Sequence, residues 1–537
     1  MPEEAIYAES GTLGPERSKT TAPLLQRGST VFFGSVICLT LFAAVLLRCS
    51  GLNAQSLWAD EGYTTWFSQF SPAEQWHLLP WETQAPIYHI VLHYWTGLWG
   101  DSVTSFRALS ACFSVLSLGV FFLIARKLWP NRTFVALGLM LYAFSYFQIW
   151  YAKEARSYAS LSFLLLTSVY CMLLCLDKPG WLRYGGVILT LSATLYMHNM
   201  ALYYLPGAVA MWFVYPSSMR SRERLKSFAI IGAGVVLLYI PWIPMLVKQA
   251  VSVHGYFWAP KPTATDLLST ICTFSGIDVY VLTGLRSHLP GRLFGLRTWM
   301  LLTVLILVIC MVGTWIGVRA EDRRKSIALQ AYTLFPILLV FAWSQFSTSV
   351  YVDRNFIGAC ALFPMILCAP IAVQSGRKKT FYRIIASTLL LGAVTSLAFH
   401  QQRKDDWRGL TEYLLKIPER QRLVVVFQPY CQILVHYYST GLFRSYPQPE
   451  ITGMIKQFNV APRGPGILPD LRTADPIGTL SQALASRKYR EIDVALQLER
   501  LPEKVQLIPD YFKEHCSAVE NVQFNNLGVS RCILRSN

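Results

Sequence analysis

Long apolar stretches alternate with short polar ones along most of this chain. Windowed hydropathy predicts about eleven membrane-spanning helices, near 31–48, 105–125, 133–150, 157–176, 182–197, 200–215, 227–246, 298–318, 328–345, 356–374 and 383–399. The pattern changes after residue 400. Leu423-Val424-Val425-Val426-Phe427 reads as a buried strand, Gln432–Tyr438 as a helix ending near Gly441, and Leu527–Leu534 as a final strand. Residues 445–475, rich in Pro and Gly, read as loop. The expected fold class is a polytopic α-helical membrane protein with a small C-terminal α/β domain. Its divisions are a disordered cytoplasmic tail over 1–30, a membrane domain over 31–399 and an extracytoplasmic domain over 400–537.

Composition agrees. Of 537 residues, 53% are hydrophobic, and the mean hydropathy is +0.36, too apolar for an ordinary soluble domain. The net charge of +17 does not mark a nucleic-acid binder, because the basic residues cluster in short loops between apolar segments. Arg126/Lys127/Arg132, Lys178/Arg183, Arg220/Arg222/Arg224/Lys226, Arg319/Arg323/Arg324/Lys325 and Arg377/Lys378/Lys379/Arg383 fall in one set of alternate loops. Lys and Arg favour the cytoplasmic side, so this set is expected there, with the N-terminus. An odd number of spans then puts residues 400–537 outside the cytoplasm, meaning periplasm, cell exterior or organelle lumen. Most of the 12 cysteines lie in apolar segments. Cys516 and Cys532 could pair if their region is extracytoplasmic.

The opposite loops carry the candidate chemistry. Asp60 and Glu61 follow the first span directly. A charge at the bilayer centre costs about 2.5–3.5 kcal/mol on insertion scales, so the two carboxylates belong at an aqueous edge. The same first loop holds Glu82 and then, from Pro86, a helix presenting Ile87, Val91, Tyr94 and Trp95, which suits an interfacial position. Later outer turns hold Lys153, Glu154 and Arg156, then His198, Lys261 and Arg354. Carboxylates and cations on one face suggest a base opposite a phosphate-bearing substrate: Arg binds phosphate by its planar donor fork, Lys as a point charge. Each residue also has a plainer role. Arg354 could anchor a helix end, Lys261 be a solvated loop charge, Arg156 pair with Glu154, and His198 sit at the headgroups. His89 and His93 are spaced i, i+4, but His-Glu-x-x-His is absent and packing explains them.

Taken together, the motifs resemble a family. Asp60-Glu61, Glu82-Thr83-Gln84-Ala85-Pro86-Ile87-Tyr88, Trp150-Tyr151-Ala152-Lys153-Glu154-Ala155-Arg156-Ser157-Tyr158, Tyr196-Met197-His198-Asn199, Asp353-Arg354-Asn355 and Lys404-Asp405-Asp406-Trp407-Arg408 look, in that order, like the bacterial GT-C glycosyltransferases. These are relatives of the protein O-mannosyltransferases and of the aminoarabinose transferase of lipid A. The likeness covers roughly residues 31–430. It implies transfer of a sugar from a polyprenyl-phosphate donor to a lipid, glycan or protein acceptor at the outer membrane face; single-step attack by the acceptor predicts inversion. By motif position Asp60 matches the family's base, Glu82 an acidic residue of the same loop, and Arg156 the arginine of its Glu-Ala-Arg-x-Tyr turn. The sequence departs from relatives at Gln84-Ala85-Pro86, where His-Pro-Pro is common; Gln84 would bind a metal poorly.

The expected catalytic set is Asp60, Glu61 and Glu82, with Arg156, Lys261 and Arg354 for the donor phosphate. Tyr63, Tyr88, Tyr151, Tyr158 and His198 are candidates for holding substrate. If a Mg²⁺ or Mn²⁺ ion takes part, Asp60, Glu61 and Glu82 are its candidate ligands. Competing functions are a transporter or flippase of lipid-linked sugars, a glycan ligase or polymerase, and an envelope scaffold. Spans nearly free of charge argue against the transporter.

Overall fold

The computed structural model describes residues 21–79, 83–253, 258–278, 296–400, 403–416, 422–426, 431–441, 491–497 and 508–535. Glu82, Trp81, Phe257, residues 1–20 of the expected tail and the 445–475 stretch lie outside them. The first helix, α1 (Thr21–Cys49), already begins at Thr21, so residues 21–30 are helical where the sequence suggests a tail. The first outer loop folds into three short helices, α2 (Ala59–Phe67), α3 (Pro72–Leu78) and α4 (Ile87–Trp99). There follow α5 (Val103–Leu128), α6 (Arg132–Ala143), α7 (Tyr146–Ala152), α8 (Tyr158–Asp177), α9 (Trp181–Met197), α10 (Leu205–Val214), α11 (Ser221–Tyr239), α12 (Ile243–Val253) and α13 (Ala264–Phe274). The bundle ends with α14 (Leu296–Gly313), α15 (Ala320–Phe346), α16 (Ile357–Val373) and α17 (Gly376–Phe399).

Every predicted apolar segment coincides with helix. Among the described residues, seven helices are long and apolar enough to cross a membrane, or eight if α6 and α7, bent by 53° at their junction, form one span. The three other segments, at α9, α10 and α14, are shorter. Large apolar side chains such as Phe32, Leu39, Leu182, Leu237 and Phe346 point outward, as a lipid solvent requires. At the centre is α16. It is apolar on all sides, and every residue from Ile357 to Ile371 is buried, as expected of a helix surrounded by others. Small residues permit the close crossings: a Cβ on Gly207 of α10 would stand 2.9 Å from Tyr332 Cα of α15.

Polar contacts sort the loops into two ends. At one, Arg132 donates to Thr30, Arg383 to Thr133, Arg324 to the Val214 carbonyl and Trp129 to Asp322, while Lys127 pairs with Asp177. These are the basic loops. At the other end the loops after α1, α7, α9 and α17 meet.

Onto that second end packs the module after α17. It comprises α18 (Trp407–Leu415), β1 (Arg422–Val426), α19 (Gln432–Thr440), β2 (Glu491–Gln497), α20 (Ile508–His515), β3 (Cys516–Phe524) and β4 (Leu527–Leu534). The strands form a sheet in the order β1-β2-β4-β3, with β1 parallel to β2 and the other pairs antiparallel. A Cys516–Cys532 disulfide staples the β3–β4 hairpin. The expected strands and helix of this region are present, and Gly441, left-handed at φ 77°, ends α19.

Candidate active site

The site is built on α2, whose first turn carries Asp60 and Glu61. Acidic residues suit a helix N-terminus because they face the positive end of its dipole. Successive helical residues point about 100° apart, so the two carboxylates cannot share one partner set. Glu61 turns inward and is completely buried. Arg107 of α5 grips it with two bonds, Nε to Oε1 at 2.8 Å and Nη2 to Oε2 at 2.6 Å. Lys404 Nζ donates to Oε2 at 3.1 Å, and the Ala155 N–H to Oε1 at 2.9 Å. The rest of the Arg107 fork is spent on the carbonyls of Leu52, Gln55 and Ser56. Burial alone would raise the Glu61 pKa; Arg107 and Lys404 reverse that and hold it at about 2. Glu154 lies 3.6 Å from the same lysine, and there burial wins, holding its carboxyl above the usual range.

Asp60 faces the other way, with 29% of its side chain exposed. Arg354 Nη2 stands 3.3 Å from Asp60 Oδ2, and Arg156 Nη2 stands 3.9 Å from the same oxygen. Arg156 is fixed by donating to the Asp60 carbonyl and to Thr64 Oγ1 at 2.6 Å. With the Gln84 amide oriented oxygen-first, Gln84 also accepts from Arg156 and donates to Ser157 Oγ at 3.3 Å. The departure from the His-Pro-Pro pattern therefore falls on a residue touching the arginine. Arg354 sits in an aromatic box, its guanidinium carbon 5.5, 5.7 and 5.6 Å from the ring centres of Trp58, Tyr158 and Trp258. Such contacts hold a cation without neutralising it.

The remaining candidates divide. Tyr158 and His198 line the cluster, their rings 5.7 Å apart; Tyr151 packs on Tyr158 at 5.1 Å. Burial, then Arg156 and Arg354, lowers His198 to about 3, so the ring is neutral, and its Nδ1 accepts from the Met200 N–H. Tyr88 is buried with its hydroxyl 2.8 Å from Ser110 Oγ. Tyr63 packs on Trp66 and Phe67. Lys261 is exposed and donates to the Gln345 carbonyl, on the loop beyond Trp258. His89 packs on Phe67, and His93 meets the Ser68 carbonyl. Among the described residues no three His, Cys, Asp or Glu side chains gather to hold a metal ion. The donor set fits poorly too, because both Glu61 oxygens are occupied by cations.

Two residues of the cluster escape a reading of the sequence. Arg107 sits in the second turn of a span, where the apolar run hides it; the signal was an arginine on the turn facing Asp60-Glu61. Lys404 is visible in its motif, but its partner Glu61 lies 343 positions earlier.

No family model matches this chain, and no curated protein matches it. Among solved structures, apo ArnT from Cupriavidus metallidurans matches over 94% of this chain and 98% of its own, at a TM-score of 0.50 and 10% identity. The chain has the GT-C fold. ArnT bound to undecaprenyl phosphate gives a TM-score of 0.46 at 11% identity over the same shares, and arabinofuranosyltransferase AftD from Mycobacteria gives 0.42 at 12% over 74% of this chain and 30% of its own. With this GT-C fold and its apolar helices, the chain is an integral membrane protein.

Proposed function

We propose that the protein is a membrane glycosyltransferase that moves a sugar from a polyprenyl-phosphate donor to a lipid, glycan or protein acceptor. The observation that carries this reading is the meeting of Arg354 and Arg156 at the half-open carboxylate of Asp60. Two guanidiniums beside an available base are what an attack with a phosphate leaving group needs. The acceptor hydroxyl forms its bond to the anomeric carbon as the carbon–oxygen bond to phosphate breaks. Asp60 takes the proton; the phosphate leaves with the electron pair, stabilised by Arg354 and Arg156. A single displacement inverts the anomeric centre. Glu61, tied to Arg107 and Lys404, orients α2 and does not touch substrate.

The surrounding architecture supports a site outside the cytoplasm. The basic loops occupy one end of the bundle and the cluster the other, as the positive-inside preference would arrange them. The disulfide of the C-terminal module suits an oxidising compartment. Eleven crossings, with α3 and α4 in the interface, complete this topology. On α4 the exposed apolar face is Tyr94, Leu98 and Trp99, as an interfacial helix requires, whereas Ile87, Val91 and Trp95 of the expected stripe pack partly against the core.

The test is turnover of a radiolabelled polyprenyl-phosphate sugar by the full chain in proteoliposomes supplied with envelope lipid and glycan extract. Asp60→Asn is expected to lower turnover about 10²–10⁴-fold, the usual contribution of general base catalysis. Binding of undecaprenyl phosphate is expected to survive that change and to weaken in Arg354→Ala. Full turnover by Asp60→Asn would remove Asp60 from the base role.

A further inference from the structure

The helix that bears Asp60 has only nine residues. Isolated helices below about 12–15 residues are marginal, so its position is set by what it packs against. One side is held by the membrane bundle, through Arg107, Ala155 and Arg156. The other is held by residues beyond 400. Leu434 of α19 lies against Gly62, where a Cβ would stand 2.5 Å from Leu434 Cδ2 and 2.7 Å from its Cγ. Leu434 is completely buried, so moving it aside would press on the neighbours packed around it. The backbone leading into α2 is gripped as well: the Leu57 N–H donates to Tyr438 Oη at 2.7 Å, the Arg408 N–H to Ser56 Oγ at 3.1 Å, and Arg408 Nη2 to Asn53 Oδ1 at 2.6 Å. Lys404, on the strap entering the module, reaches Glu61 itself.

We infer that the module after the last span is a positioning part of the catalytic site: α19, through Leu434 on Gly62 and Tyr438 on Leu57, seats α2 so that Asp60 meets Arg354. Gly62 and Asp60 are two residues apart, so any lift of the helix at Gly62 carries the carboxylate with it. Gly62 is thus a matter of space between two helices, and the module is a wall of the site. This rests on Asp60 being the base.

The experiment is a compensation test on the full chain in proteoliposomes, reading turnover of a labelled polyprenyl-phosphate sugar. Gly62→Ala is expected to lower kcat about 10- to 100-fold, since misplacements near 1 Å cost that order, with the donor KM changed far less because Arg354 belongs to another element and keeps its contacts with Tyr158 and Trp258. Adding Leu434→Ala, which opens room for the new methyl, is expected to restore most of the lost kcat. Because a misfolded fraction also lowers apparent kcat at unchanged KM, kcat is taken per molecule that binds undecaprenyl phosphate; mere loss of folding then leaves it unchanged and is not repaired by a second truncation. Where Gly62→Ala accumulates poorly, Tyr438→Phe serves, removing only the hydroxyl that receives the Leu57 N–H; a kcat loss with far less change in KM is again expected. Full kcat in both Gly62→Ala and Tyr438→Phe, or a Gly62→Ala defect that Leu434→Ala leaves in place, overturns the inference. Asp60→Asn is measured alongside. If it is inactive while those variants are normal, only the positioning role falls; if it is fully active, the base assignment falls first.

Discussion

Asp60 and Glu61 are adjacent in sequence and opposite in fate, and the cause is the helix they begin. Glu61 is a buried anion between two buried cations. Such a group is costly to desolvate, but removing one partner costs more, about 3–5 kcal/mol, because the other charges are then stranded. Glu61→Gln is therefore expected to lower the unfolding temperature of detergent-solubilised protein markedly. The pH dependence follows from the same pairing. Its pKa falls from an ordinary 4.5 to about 2 on folding, so the stabilisation is full above 4.5 and is lost as pH drops towards 2. Wild-type unfolding temperature should decline through that window, and the Glu61 contribution to the decline should vanish in Glu61→Gln. Arg354 makes a different prediction. Its aromatic box holds the guanidinium in place beside Asp60, so on the proposed reading Trp258→Ala should weaken undecaprenyl phosphate binding by about 0.5–2 kcal/mol, the range for a cation–π contact. At this scale the sequence shows which residues are polar at a membrane edge, but not which are paired. Arg107 reaches Glu61 across 46 positions and Arg354 reaches Asp60 across 294, separations on which local pattern is silent.

Among the elements, the break between α6 and α7 illustrates how a helix end is completed from elsewhere. The last carbonyls of a helix have no partner within it. Those of Tyr142 and Ala143 are met by the Arg48 guanidinium at 3.2 and 2.9 Å, while Ser145 caps the start of α7. Arg48→Leu should leave the buried Ala143 carbonyl without its donor, and that of Tyr142 to the long bond from the Ser145 N–H at 3.4 Å, destabilising the bundle by about 1–3 kcal/mol, as thermal unfolding would report. The β3–β4 hairpin depends on a covalent tie instead. Its disulfide closes a span of 16 positions, and a bridge of that size is worth about 3 kcal/mol. Reduction, or Cys516→Ser with Cys532→Ser, should lower the melting of the C-terminal module more than that of the bundle. Element existence was legible throughout the membrane part, since eleven apolar runs became eleven stretches of helix. The bend at Ser145 and the early start of α1 at Thr21 were not, because both lie in sequence that would suit a straight or an absent helix equally well.

For the whole molecule the decisive feature is the separation of charge between its two ends. On the proposed orientation, with the basic loops inside and Asp60 outside, Lys261→Cys should react with a membrane-impermeant maleimide on intact cells, and Arg222→Cys only after permeabilisation, each read against the parent chain. Labelling of both from one side would overturn the orientation. The resemblance of short motifs to the GT-C glycosyltransferases foretold the fold that ArnT shares, at an identity of 10%. Sequence alone could do this because the bilayer imposes a strict grammar: apolar length, flanking charge and the exclusion of carboxylates from hydrocarbon are local properties, written along the chain. Which carboxylate stays open, which is locked between Arg107 and Lys404, and which glycine receives Leu434 were decided by packing. Those outcomes depend on the direction each side chain leaves its helix and on partners hundreds of residues away, and only the assembled bundle, with the module closed against it, brings them together.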